Sequence, residues 1–358
     1  MIRKAMFQTP AGKGMVQCRL CNHGCLVRQG EFGICGVRSN IDGGLFTHAY
    51  GQTAAVNIDP IEKKPLTHFL PKTMTCSFGT RGCNFSCEFC QNWQLSMASK
   101  NSGNAETWEK KYLPEEIVTH ALESGCSSIS YTYNEPTAFF EYAYDTARAA
   151  GEKRLANVFV TNGFMTEEAL RTIEPHLDAC NADLKSMRSS FYRKLCHARL
   201  EPVLDNIRYL SDSDIWLELT TLIIPGFNDS DRELAELAEF IADMDPEVPW
   251  HISRFHPDCR MTDIEKTPEE TLGRACTLGK EAGLSHIYIH NLRGTDSDTL
   301  CPDCGFSLIR RQGRLIPENR IENLRCPKCG SRIAGIWNMK KDHYCSETEE
   351  EIRNFNFG

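Results

Sequence analysis

Gly82-Cys83-Asn84-Phe85-Ser86-Cys87-Glu88-Phe89-Cys90 sets three thiols at the spacing Cys-x3-Cys-x2-Cys. A four-iron, four-sulfide cube usually takes four thiolates, so a loop offering three leaves one iron without a protein ligand. An open iron on a low-potential cluster can chelate a small molecule and hand it one electron. That points to an enzyme that makes radicals.

Outward from this loop, residues 74 to 292 alternate short apolar runs with amphipathic stretches, the pattern of repeated strand-helix units. The runs are Met74 to Phe78, Ser128 to Tyr133, Ala156 to Val160, Ala179 to Leu184, Trp216 to Ile224, Trp250 to Phe255 and Ser285 to Ile289. Pro114-Glu115-Glu116, Thr166-Glu167-Glu168 and Thr267-Pro268-Glu269-Glu270 read as helix starts, with acids in the first turn. Gly125, Gly151 and Gly283 read as helix ends, and Lys100 to Lys110 as a polar loop. The predicted fold is α/β, a partial (β/α)6 barrel of the TIM type, because eight units need more room than this region gives. Three segments follow: a Cys-rich N-terminal extension over 1–70, the barrel over 71–294 and a zinc-ribbon-like region over 295–358.

The 358 residues include eighteen cysteines, and no run of about 20 apolar residues occurs. Met1 to Met6 lacks the apolar stretch of a signal peptide, so the expectation is a cytoplasmic protein with no membrane span, whose cysteines serve metals. A net charge of -8 argues against nucleic-acid binding, which needs a basic face. Eleven cysteines fall into three groups: Cys18, Cys21, Cys25 and Cys35; the central three; and Cys301, Cys304, Cys326 and Cys329. Cys76, Cys126, Cys180, Cys196, Cys259, Cys276 and Cys345 read as buried apolar side chains. The two Cys-Pro-x-Cys-Gly knuckles at the end suit a closed tetrahedral zinc, with rubredoxin-like iron as runner-up. The first four thiols, with His23 nearby, suit either zinc or an auxiliary iron-sulfur cluster. Lys63, Lys64 and His68 read as a solvated, salt-bridged face.

The central motif, with Phe89 before its last cysteine, resembles the radical S-adenosylmethionine (SAM) superfamily, and later segments match in order. Tyr131-Thr132-Tyr133-Asn134-Glu135-Pro136 resembles the Gly-Gly-Glu-Pro segment, with Tyr133 and Asn134 in place of the glycines. Thr161-Asn162-Gly163 ends the third strand, and Asp183-Leu184-Lys185 resembles the Asp-x-Lys of pyruvate formate-lyase activating enzymes. Ile224 to Asp229 matches a segment bordering adenine, and His256 a histidine near the nucleoside. The resemblance implies Cys83, Cys87 and Cys90 as ligands of a 4Fe-4S cluster, with SAM on the fourth iron. It implies Phe89, Asn134, Glu135, Thr161, Asp183, Lys185 and His256 as cosubstrate contacts. It also implies a flavodoxin- or ferredoxin-type electron donor.

Cys18-x2-Cys21-x3-Cys25 with Cys35, Asp59 to Leu66, His68 to Pro71, and Cys90-Gln91-Asn92-Trp93 resemble the AmmeMemoRadiSam branch, named for its association with Memo-like and AMMECR1-like proteins. Two substrate readings follow: activation of a glycyl radical enzyme, or modification of a small molecule or peptide with those partners. Cys259 and Tyr288 are the side chains considered for a radical relay, and no residue beyond the cluster is assigned as catalytic. The competing non-enzyme reading is a zinc-ribbon scaffold with a structural cluster.

Overall fold

Every apolar run read as a strand forms one. The computed structural model describes residues 1–101, 110–292, 298–313 and 315–338; residues 102–109 of the expected polar loop, and Cys345, lie outside them. One eight-stranded sheet runs in chain order through β1 (Ala55–Pro60), β2 (Met74–Gly79), β3 (Ser128–Tyr131), β4 (Ala156–Thr161), β5 (Ala179–Asp183), β6 (Trp216–Ile223), β7 (Trp250–Arg254) and β8 (Ile287–His290). Neighbours from β2 to β8 are parallel. β1, from the N-terminal segment, pairs antiparallel with β2, so the sheet reaches back before residue 71. Parallel strands covered on both faces are buried at successive positions, and all four side chains of β3 are buried, Ile129 and Tyr131 on one face and Ser128 and Ser130 on the other.

The intervening helices are α1 (Pro114–Glu123), α2 (Phe140–Glu152), α3 (Glu167–Ile173), α4 (Glu201–Ser211), α5 (Asp231–Met244) and α6 (Glu269–Glu281). Thr166 and Ser230 cap α3 and α5 by accepting backbone N–H bonds. α6 lies close on the sheet because Gly279 has no side chain; a Cβ there would come within 2.6 Å of Ile287 and 3.1 Å of Trp250. Gly125 and Gly283 follow α1 and α6 with φ of +67° and +98°. Gly151 differs from its expected place: it lies inside the last turn of α2, and Arg154, with φ of +59°, makes the reversal.

Two small antiparallel assemblies flank the sheet. Residues 3–47 form two three-stranded sheets, one of which carries Cys18 at the end of the strand Val16–Cys18. At the other end, β9 (Thr299–Leu300), β10 (Ser307–Gln312) and β11 (Leu315–Asn319) form a three-stranded sheet. The segment after it is tied to the chain just before β2 by hydrogen bonds between Leu70 N and Ile336 O and between Ile336 N and His68 O, each 2.7 Å. No helix among the described residues is long and apolar enough to cross a membrane.

A polar knot fills the sheet interior. Glu218 of β6 is fully buried; one carboxylate oxygen accepts from His68 N and Trp216 Nε1, the other from Thr67 N, Thr67 Oγ1 and His251 Nε2. His68 Nε2 meets the Tyr288 hydroxyl at 2.6 Å, which meets Thr299 Oγ1 of β9 at 2.8 Å. The expectation of a solvated, salt-bridged face holds for Lys63, which is exposed and paired with Asp59, and fails for Lys64 and His68. His68 and Lys64 are buried, and both lysines pair with Asp59 of β1 at 2.6 and 2.9 Å. Burial alone would raise the Glu218 pKa, but the hydrogen bond and charge of His251, then His68 and Thr67, outweigh it and bring it down to about 2. A carboxylate depressed on folding stabilises above its ordinary value of 4.5, and that contribution is lost as pH falls toward 2. Glu218→Gln should cost about 3–5 kcal/mol in denaturation at pH 7, because it leaves buried donors facing an amide. The gap from wild type should narrow as pH drops below 4.5.

Candidate functional site

The cysteine loop hangs from the end of β2, and two neighbouring segments hold it by main-chain bonds while a third does so through a side chain. Ser86 N donates to Cys196 O at 3.2 Å, Glu88 N to Leu195 O at 2.9 Å, and Arg260 N to Glu88 O at 2.9 Å. Asn134, after β3, accepts from Thr80 N at 2.9 Å and donates to Gly82 O at 2.7 Å. Gly82, with φ of +85°, lets the loop pass under Cys35; a Cβ there would lie 2.6 Å from the Cys35 carbonyl.

The three thiols line a cavity of about 780 Å³ at the carboxyl ends of the strands, where such sheets place their sites. Phe89, Asn134, Glu135, Thr161, Asp183, Lys185 and His256 line the same cavity. Glu135 is 4% exposed, and its carboxylate is held by four donors: Thr137 N and Oγ1, Thr161 Oγ1 and Asn162 N. Burial raises its pKa against those bonds, so a bound cation would relieve it. Tyr133 stands where a glycine is usual, yet adopts a φ of +70°, so the backbone keeps a conformation glycine favours. Asn134, by contrast, spends its amide on the cysteine loop.

Lys185 Nζ donates to Asp183 Oδ2 at 2.7 Å and lies 5.8 Å from the Phe89 ring centre. Burial pulls its pKa down, but the Asp183 charge leads the contributions that hold it well above the usual lysine range. Asn228, in the segment expected near adenine, is outside the cavity and donates to Lys185 O at 2.7 Å. His256 Nδ1 meets Gln91 Nε2 at 3.1 Å.

Several wall residues escaped sequence reading. His290 lines the cavity, its Nε2 2.7 Å from His251 Nδ1, so a chain of ring nitrogens runs from the wall to buried Glu218. Its only sequence signal is register: His251 stands opposite Tyr288 and Ser253 opposite His290 on adjacent strands. Arg311 and Gly313 reach the same wall from the C-terminal sheet. Tyr288 and Cys259, the relay candidates, do not line it; the Tyr288 hydroxyl is bonded inside the polar knot.

Cys301, Cys304, Cys326 and Cys329 bring their sulfurs within 4.8 Å of one another, with pairs at 3.5 and 3.7 Å. Cys18, Cys21, Cys25 and Cys35 surround a small chamber that Asn84 also walls.

A family model described as the radical SAM superfamily matches residues 78–240. The chain belongs to the radical SAM superfamily. An uncharacterized protein of Methanocaldococcus jannaschii, MJ0808, is 41% identical over 93% of this chain and 99% of its own length. The isethionate sulfite-lyase activating enzyme of Desulfovibrio desulfuricans is 24% identical over 61% of this chain and 67% of its own. The pyruvate formate-lyase 1-activating enzyme of Escherichia coli K12 is 24% identical over 59% and 88%.

Radical SAM membership implies a 4Fe-4S cluster and SAM. The residues fit the cluster: three thiols face one cavity, and as a set they are not drawn within 4.8 Å of one another, as ligands of a single ion would be. Cys196, expected as a bland core thiol, is fully buried and shares a hydrogen bond with Cys87 that, with burial, pushes the Cys87 thiol well up. Hydrogen bonds to cluster sulfurs raise reduction potential. Cys196→Ala should therefore lower the midpoint potential of this cluster in an anaerobic redox titration followed by electron paramagnetic resonance (EPR); an unchanged midpoint would remove Cys196 from the site.

Proposed function

We propose that this chain reductively cleaves SAM to a 5'-deoxyadenosyl radical and uses it to abstract hydrogen, on a partial (β/α)6 barrel, as an activating enzyme for a glycyl radical protein. The observation that carries this reading is the single cavity in which Cys83, Cys87 and Cys90 face Glu135 and the Asp183–Lys185 pair. Its volume falls in the range of small-molecule sites, ~300–1,000 Å³. The bound cluster supplies one electron to SAM. The protein supplies the rest: Glu135, fixed by four donors, receives the methionine ammonium, and Lys185 and Asp183 meet the carboxylate and ribose. Phe89, buried against Phe191, and His256 border the nucleoside and exclude water. Names of relatives such as the isethionate sulfite-lyase and pyruvate formate-lyase 1-activating enzymes support the substrate class.

A second reading, radical modification of a small polar molecule or peptide, is favoured by the far wall. There His290, backed by His251 and Glu218, stands near Arg311 and is placed to hold or move a proton on a polar substrate. The AmmeMemoRadiSam resemblance supports this reading with Memo-like and AMMECR1-like partners in the cytoplasm. In both, a flavodoxin- or ferredoxin-type protein is the donor, and the C-terminal thiols hold one structural zinc, since a zinc–sulfur bond of ~2.3 Å puts tetrahedral sulfurs ~3.8 Å apart.

Anaerobically reconstituted protein, reduced with dithionite in the presence of SAM, should form 5'-deoxyadenosine; an intact cluster without that product would end the enzyme reading and leave the scaffold. Glu135→Gln should weaken SAM binding about tenfold to hundredfold, the loss of one charge-assisted contact. Metal analysis of Cys301→Ser/Cys304→Ser should find about one zinc fewer per chain.

A further inference from the structure

The N-terminal thiols are not spaced like a zinc site. All four are free, Cys18 and Cys21 buried and Cys25 and Cys35 half-buried, and all four wall one chamber. No three of them bring their sulfurs within 4.8 Å of one another, whereas the C-terminal four all do. One tetrahedral ion gathers its sulfurs, while a four-iron cube holds each thiolate on a separate iron and spreads them. The N-terminal group shares that spread with Cys83, Cys87 and Cys90.

The chamber wall offers donors that suit sulfide. Arg38, 1% exposed, donates through Nη1 to Cys18 Sγ at 3.6 Å, and its Nε has no hydrogen-bond partner. Asn84, 2% exposed, has an unpartnered Nδ2 and walls the same chamber. Glu141, paired with Arg38 by a hydrogen bond, balances its charge. Buried N–H groups without partners are costly, and bridging sulfides accept such bonds.

Position gives the group a use. On one side, Cys18 and Cys21 border a surface groove of about 330 Å³ with Arg19, Thr166, Glu167 and Glu168. On the other, Asn84 directly follows Cys83, and the Cys35 carbonyl lies against Gly82 of the same loop. The chamber therefore stands between the protein surface and the cluster loop.

We propose that Cys18, Cys21, Cys25 and Cys35 hold a second 4Fe-4S cluster that relays electrons from a reduced flavodoxin- or ferredoxin-type protein to the cluster at Cys83, Cys87 and Cys90. One electron leaves the donor, which is oxidised, reduces the second cluster and passes on, with no bond made or broken there. The relay rests on the radical SAM reading for its acceptor; the metal assignment does not.

The test is iron, sulfide and zinc per chain in anaerobically purified, reconstituted and desalted protein. Wild type should hold about eight iron and one zinc, and Cys83→Ala/Cys87→Ala/Cys90→Ala about four iron, with a reduced EPR signal that SAM does not perturb. A triple variant without iron, holding two zinc, overturns the assignment and leaves the radical SAM reading intact. A triple variant that keeps four iron, beside a wild type that cleaves no SAM, supports the assignment while the radical SAM reading fails. In Cys18→Ser/Cys25→Ser, 5'-deoxyadenosine formed with reduced flavodoxin, relative to that with dithionite, should fall at least tenfold. An unchanged ratio overturns the relay, and the triple variant decides the site should this double variant not fold.

Discussion

The carboxamide of Asn134, held between the Thr80 amide and the Gly82 carbonyl, pins the start of the cysteine loop, and main-chain bonds to Cys196, Leu195 and Arg260 hold the rest of it. A cysteine loop free of such a grip would sample many arrangements, and a cluster needs one. The neighbouring Glu135 is fixed by Thr161 and Asn162 at the end of β4, so two adjacent residues after β3 position the loop below and an anionic wall above. Asp183 and Lys185 at the end of β5 and His256 after β7 complete the rim because parallel strands all deliver their carboxyl ends to the same side.

Beneath the rim the sheet interior is polar, which is unusual for a barrel core and costly unless every group is satisfied. Glu218 meets that condition with five donors from β6, β7 and the segment before β2. Through His68, Tyr288 and Thr299 the same network reaches β9, so the C-terminal sheet is bound to the eight-stranded sheet by buried hydrogen bonds. The zinc-ribbon-like region thus supplies Arg311 and Gly313 to the cavity wall.

Much of this was legible from residue order. The seven parallel strands and the three cysteine groups follow from short-range patterns, apolar runs of strand length and thiol spacings, whereas Glu135, Asp183, Lys185 and His256 were indicated by the family resemblance and share one cavity wall. Gly151 does not end its helix, because a helix end depends on where tertiary contacts stop it, and α2 runs past the glycine to Glu152. Charge runs are usually solvated, but Asp59, Tyr288 and the Ala334 carbonyl satisfy Lys64 and His68 below the surface, which only the packing decides.

Sequence alone determined that three thiols would lack a fourth local partner, since spacing is a property of the chain. What only the tertiary structure decided is which distant groups meet them: Cys196 against Cys87, His290 joined to Glu218 through His251, and four N-terminal thiols spread around Asn84. Those contacts join residues more than thirty positions apart on separate elements, and their geometry is set by strand register and loop packing, which no local pattern encodes.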